Sequence, residues 1–337
     1  MKKERIFYID FIRALSVIII VIYHFNCSLL SHSIKALYLL PKFSEGNDLG
    51  TIGVSLFFII SGFALMYTYN DKFSIKNFFR KRFFTLFPLF WLAYGIAFLY
   101  FFYINCAINR GASKISFLLT IFGMDGYFFY KINDFYILGE WFLGCIILLY
   151  LCFPILRLLL LKYPKRLFIF IILLYFFVVH KYIFRMEIDR NILTRLPEFV
   201  FGMYFAQYIK KLNIFGFIGS IAVFIVFLFV NLNINYMYKI TVVGISLFMI
   251  LTFIGQHTKF GKASNLISLI SKYSYGVFLV HHVIIDQLLN RFNGRLISST
   301  ETLCLFILVC IVIAITTNLL YKLYNFLGIN AKKLILD

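Results

Sequence analysis

The feature that most constrains this chain is the recurrence of apolar runs of about 20 residues. A helix rising 1.5 Å per residue needs about that length to cross the roughly 30 Å hydrocarbon core of a bilayer. Such runs cover residues 10–30, 51–70, 83–104, 136–161, 167–184, 192–208, 213–232, 236–255, 273–290 and 302–321. The sequence therefore predicts an all-α, polytopic integral membrane bundle of about ten transmembrane helices, with residues 1–337 as a single domain. Ser116–Phe122 is too short to span and runs into Gly123, Asp125 and Gly126, which predicts an interfacial or re-entrant segment. Composition agrees. The chain is 62% apolar and 14% charged, against about 45–50% and about 25% in soluble domains, which excludes a soluble enzyme, a disordered chain or a secreted disulfide scaffold.

A net charge of +19 would suggest nucleic acid in a soluble protein, but here the charges follow topology. With a cytoplasmic N-terminus and an even number of spans, the inner segments hold the larger share of the 33 Lys and Arg, including Lys72, Lys76, Arg80, Lys81 and Arg82. That bias predicts both termini in the cytoplasm, contact with the lipid bilayer and no nucleic-acid partner. The opening Met-Lys-Lys and apolar stretch resemble a signal peptide, but Arg13 interrupts the run and no small-residue cleavage site follows His24, so the segment is expected to stay as the first span. The six cysteines show no CxxC spacing. Cys27, Cys145, Cys152, Cys304 and Cys310 lie in apolar runs, where small buried hydrophobes are expected.

Ionisable groups inside a span cost a few kcal/mol, so each is a functional candidate. The first span carries Asp10, Arg13 and His24. Asp10 precedes Arg13 by three residues, within pairing reach. His24 lies about 20° around the helix from Arg13 and about 16 Å further along it. The layout suits an anionic donor arriving from the cytoplasm and a proton transfer deeper in the membrane: arginine clamps phosphate by paired hydrogen bonds, and a buried neutral imidazole accepts a proton from a hydroxyl. The alternative is a helix-start pair and a packing histidine. Glu198 and Arg195, three apart, read first as an intrahelical ion pair. Gly53, Ser55, Ser61 and Gly62 read as a small-residue surface for close helix approach. His281 and His282 are adjacent and face different sides of a helix, so no metal site is expected. No glycine-rich phosphate loop, GxSxG or HExxH is present.

Arg13 and His24 after Tyr8-Ile-Asp10 resemble the opening of the bacterial acyltransferase 3 family of integral membrane acyltransferases. Gly53-Val-Ser-Leu-Phe-Phe-Ile-Ile-Ser-Gly-Phe63 is similar to its second-helix signature, and Arg80-Lys-Arg-Phe-Phe-Thr-Leu-Phe-Pro88 to its basic segment. Trp141-Phe-Leu143 with Tyr150 and Pro154, Arg195-Leu-Pro-Glu-Phe199 with Gly202, and Ser274-Tyr-Gly-Val-Phe-Leu-Val-His281 follow in family order. Two positions depart: Thr85 stands where the family has a second arginine, and Ile146 where it often has glutamate, for which Glu140 is the nearest substitute.

The resemblance implies O-acyl transfer, most often of acetyl, from acyl-coenzyme A to a hydroxyl of a surface or lipid-linked glycan, in the bacterial cytoplasmic (inner) membrane. It implies His24 as general base or transient acyl carrier, with Arg13 and Asp10 beside it in the catalytic set. Arg13, Arg82, Arg80 and Lys81 are implied to bind acetyl-coenzyme A, the acyl donor; no metal is expected. Glu198, Arg195, Ser61, Trp141 and His281 are implied to bind or orient substrate. The rival reading is a non-enzymatic glycan or lipid-linked sugar transporter using the same in-membrane polar groups. Lipid-facing and protein-facing apolar surfaces are alike in composition, so the sequence predicts no oligomeric state.

Overall fold

A computed structural model describes residues 4–40, 49–108, 111–136, 138, 140–230 and 232–328. Among these the chain is helical, with no strand beyond a single parallel bridge between Lys35 and Leu296. In chain order the helices are α1 (Phe7–Ser31), α2 (Leu49–Tyr69), α3 (Ile75–Asn105), α4 (Ser116–Ile121), α5 (Asp125–Phe128), α6 (Glu140–Lys162), α7 (Pro164–His180), α8 (Ile192–Tyr204), α9 (Ile214–Phe229), α10 (Tyr236–His257), α11 (Ala263–Leu289) and α12 (Ser299–Phe326). Each expected span falls on one of the longer helices. Six of them, α1, α2, α3, α6, α10 and α12, are long and apolar enough to cross a membrane. On that criterion α7, α8 and α9 fall short, with 17, 13 and 16 residues, and α11 is interrupted by polar residues such as Asn265, Ser271 and Lys272. The chain is thus an all-helical membrane protein with six candidate spans among the described residues, rather than ten established ones.

Local signals set the helix ends. The Ser74 side chain accepts from Asn77 N to start α3, well ahead of the apolar run, and Cys106 in the left-handed conformation ends it. Pro164 opens α7, where its missing N–H costs nothing. Ser298 and Glu301 form a reciprocal capping box on α12.

The chain divides into two compact units. One comprises Met1–Ile20, Pro41–Phe73 and Leu148–Lys272, and the other Val21–Leu40, Ser74–Ile147 and Tyr273–Asp337, so α1, α6 and α11 contribute to both. In the first, α2 and α8 meet backbone to backbone. A Cβ on Gly62 would lie 1.9 Å from Phe199 O, and one on Gly202 2.0 Å from Ile59 O, so only glycine fits at either point. Arg157 of α6 closes the end of α2 by donating to Tyr69 O (2.7 Å) and Asn70 O (2.8 Å). In the second unit α3 packs on α12, and α11 approaches α12 where Gly276 faces Tyr321 and Thr317. The α4–α5 segment wedges between α3 and α6: Trp91 Nε1 donates to Ile121 O (2.9 Å), and Tyr127 covers Gly144. Trp91 is about 20 Å short of the end of α3, so the segment packs alongside the middle of that helix. Of the five cysteines expected to be buried, only Cys145 is, and Cys304 is exposed; an apolar membrane helix is as apolar outward as inward, so sequence cannot separate its faces.

Candidate functional site

The His24 side chain, half-buried on α1, is flanked by two further imidazoles from α11. Its ring centroid is 5.0 Å from that of His281 and 4.5 Å from that of His282, both edge-on, and the latter two are 5.7 Å apart. Tyr23 adds a fourth ring at 5.1 Å. Adjacent residues on a helix point about 100° apart, and that divergence lets His281 and His282 straddle one opposing ring. His281 is 1% exposed. Its Nδ1 lies 2.8 Å from Phe278 O and 3.1 Å from Val277 O; carbonyl oxygens only accept, so this nitrogen carries the proton and Nε2 of the neutral ring is basic. Among the described residues no group of three or more His, Cys, Asp or Glu is arranged to hold a metal ion.

The Asp10–Arg13 pair expected from spacing is present, with Arg13 Nη1 3.6 Å from Asp10 Oδ1. The structure adds partners that sequence did not suggest. Ser271 Oγ donates to Asp10 Oδ1 (2.7 Å) and accepts from Arg13 Nη1 (3.3 Å), and Arg5 Nε donates to Asp10 Oδ2. Arg5 Nη2 also donates to Ser268 O (3.0 Å). Serines more than 250 residues away along the chain leave no local signal.

Arg195 and Glu198 form the expected ion pair, fully buried on α8 at 3.1 Å. Glu198 Oε1 also accepts from Ser55 Oγ of α2 (2.7 Å), and Arg195 donates to Ser55 Oγ (3.1 Å) and Asp189 O (2.5 Å). Gly244 of α10 leaves the space for Ser55: a Cβ there would lie 2.6 Å from the serine Cβ.

Arg80 and Lys81 are exposed and Arg82 half-buried on the first turns of α3, where Thr85 Oγ1 donates to Lys81 O (2.6 Å) rather than supplying a charge. Trp141, in the first turn of α6, lies against Phe142 (6.4 Å), which reaches Phe278 of α11 (5.4 Å). Ser61 is half-buried beside Gly62. The Glu140 side chain lies outside the described residues.

Sequence reasoning passed over Asp125 and Asp134 as catalytic or binding candidates. Both are buried, and the charge of each acts on Tyr94, which accepts from Thr120 Oγ1 (3.4 Å). Burial pushes the Asp125 carboxyl up to about 7, opposed by the Gly126 N–H, which donates to it (3.0 Å), with the like charge of Asp134 adding to the rise. Burial alone pushes Asp134 up to about 6.

Similarity to known proteins bears on this arrangement. A family profile described as an acyltransferase domain, acyltransferase 3, matches residues 6–321. Acyltransferase MdmB of Streptomyces mycarofaciens is 43% identical over 51 residues, which cover 15% of this chain and 13% of that protein. No solved structure matches. The profile runs from just before α1 into the last turns of α12, across every group described above except Arg5, and the chain accordingly belongs to the acyltransferase 3 family.

Proposed function

We propose that this membrane protein is an O-acyltransferase, most readily an O-acetyltransferase, that moves an acyl group from cytoplasmic acyl-coenzyme A to a hydroxyl of a cell-surface or lipid-linked glycan. The observation that carries the reading is the His24 ring held between His281 and His282, in a chain of an acyltransferase family. Neutral His24 takes the proton of the acceptor hydroxyl. That oxygen attacks the thioester carbonyl carbon, the new C–O bond forms, the C–S bond breaks, and coenzyme A leaves as a thiolate that takes up a proton. In the stepwise variant His24 nitrogen displaces the thiol first and passes the acyl group to the hydroxyl. His281, its Nδ1–H fixed on α11 carbonyls, orients His24. Arg13, held by Asp10, and the basic turn Arg80–Arg82 bind donor phosphates. Trp141, Ser61, Arg195 and Glu198 contribute to shaping the acceptor side.

The proposed setting is the bacterial cytoplasmic membrane with both termini inside, so that the donor meets the basic turn and the glycan the outer face. A glycan transporter is the less favoured alternative, since the family is one of acyltransferases. Purified protein that binds radiolabelled acetyl-coenzyme A would separate the two, because a transporter has no reason to bind it. In cells, ester-linked acetate on the surface glycan should fall to background with His24→Ala at equal protein level; unchanged acetate would end the assignment of His24.

A further inference from the structure

We infer that Arg5 and Arg13 together form a diphosphate seat, with Asp10 as the carboxylate that spaces them; the choice of acyl-coenzyme A as its ligand rests on the function proposed above. Asp10 is 4% exposed and takes one guanidinium on each oxygen, Arg5 at Oδ2 and Arg13 at Oδ1. One carboxylate between two permanent cations leaves a net positive charge, so Arg5 is surplus to neutralising Asp10. It is also an unusual surface arginine. Its side chain is 57% exposed, yet it is tied at two points, through Nε to Asp10 and through Nη2 to Ser268 O (3.0 Å).

An arginine has five N–H donors in a rigid fork. Those two ties leave the outward part of the fork directed at solvent, with the rotamer already chosen. Arg13 is held the same way, by Asp10 and by Ser271 Oγ at 3.3 Å, and its side chain is 28% exposed. Exposed ion pairs add little to stability, so fixing two partly exposed guanidiniums on one buried carboxylate makes most physical sense as preorganisation for an anion with two neighbouring phosphates. The basic turn of α3 carries Thr85 where its family motif has an arginine; Arg5 provides a second guanidinium beside Arg13, from outside that motif.

The test uses the full-length protein in phosphatidylcholine nanodiscs, titrated by calorimetry with inorganic diphosphate and with coenzyme A. Both should bind, and Arg5→Gln should weaken each by about tenfold or more, the loss expected for one charge-assisted contact. Arg5→Lys, which keeps the charge but not the two-point hold, should fall between and serves if the glutamine variant does not fold. An Arg5→Gln variant with diphosphate affinity within about twofold of wild type, or a wild type that does not bind diphosphate, would overturn the seat. Arg5-dependent binding of diphosphate without binding of coenzyme A would keep the seat and overturn the donor reading. If phosphatidylglycerol nanodiscs abolish diphosphate binding, the seat belongs to a lipid headgroup and its assignment to the donor fails.

Discussion

Glu198→Ala is the most quantitative probe of how α8 is held. Glu198 and Arg195 are both fully buried. The substitution deletes contacts to Arg195 at 3.1 and 3.3 Å and to Ser55 at 2.7 Å. The guanidinium left behind keeps Asp189 O at 2.5 Å and Ser55 Oγ at 3.1 Å. Removing one partner of a buried pair costs about 3–5 kcal/mol, and those two surviving acceptors place the loss near the lower end, about 3 kcal/mol. Replacing both charges with apolar groups of similar size is often neutral, so Arg195→Met with Glu198→Leu should lie within about 1 kcal/mol of wild type. Equilibrium unfolding in mixed detergent micelles reads both values. A double variant as unstable as Glu198→Ala would refute the view that the two charges serve chiefly each other. The same proteins separate structure from chemistry: a stable double variant that no longer transfers acyl groups would give Glu198 or Arg195 a direct contact with substrate.

Three further outcomes are expected. Gly202→Val should lower the unfolding temperature and expression sharply, because a Cβ at that point would sit 2.0 Å from Ile59 O and the helices must part; Gly219→Val, with nothing within 4 Å, should be tolerated. Ser55→Ala removes two interhelical hydrogen bonds, one donated to Glu198 and one accepted from Arg195, and should cost about 1–2 kcal/mol by the same unfolding assay. The raised Asp125 carboxyl means that the folded chain keeps a proton from about pH 4, where an unfolded aspartate releases it, up to about 7. Its stabilising contribution is therefore complete below about pH 4 and lost as pH rises through 7. Asp134, raised to about 6, acts in the same direction. Asp125→Asn should flatten the fall in unfolding temperature between pH 5 and 8, leaving a weaker slope from Asp134; an unchanged slope would contradict the assignment.

The helices were legible because each carries its own apolar run, and the Asp10–Arg13 and Arg195–Glu198 pairs because three-residue spacing is a local signal. Helix ends were less so. The first turns of α3 and α11 are polar, through Lys76, Arg80, Asn265 and Ser268, and an apolar window starts only after them. Gly62 was visible as a candidate for close packing, but that it meets α8, and that Gly202 is the matching gap there, is a tertiary fact. The partners of Asp10 show the limit most clearly: Ser271 and Ser268 are ordinary serines until α11 brings them to α1. The divergence of His281 and His282, read from sequence only as an argument against a metal site, is what places both rings around His24.

The role proposed for His24 is acyl transfer from coenzyme A to a glycan hydroxyl. Membrane vesicles containing the protein and its host glycan, supplied with acetyl-coenzyme A labelled in the acetyl group, test it most directly. Alkali-labile label should appear in the glycan fraction with one free coenzyme A thiol released for each ester formed, and both should be lost with His24→Ala. Label transfer that persists in the His24→Ala protein, or glycan that stays unlabelled with the wild type, would contradict it.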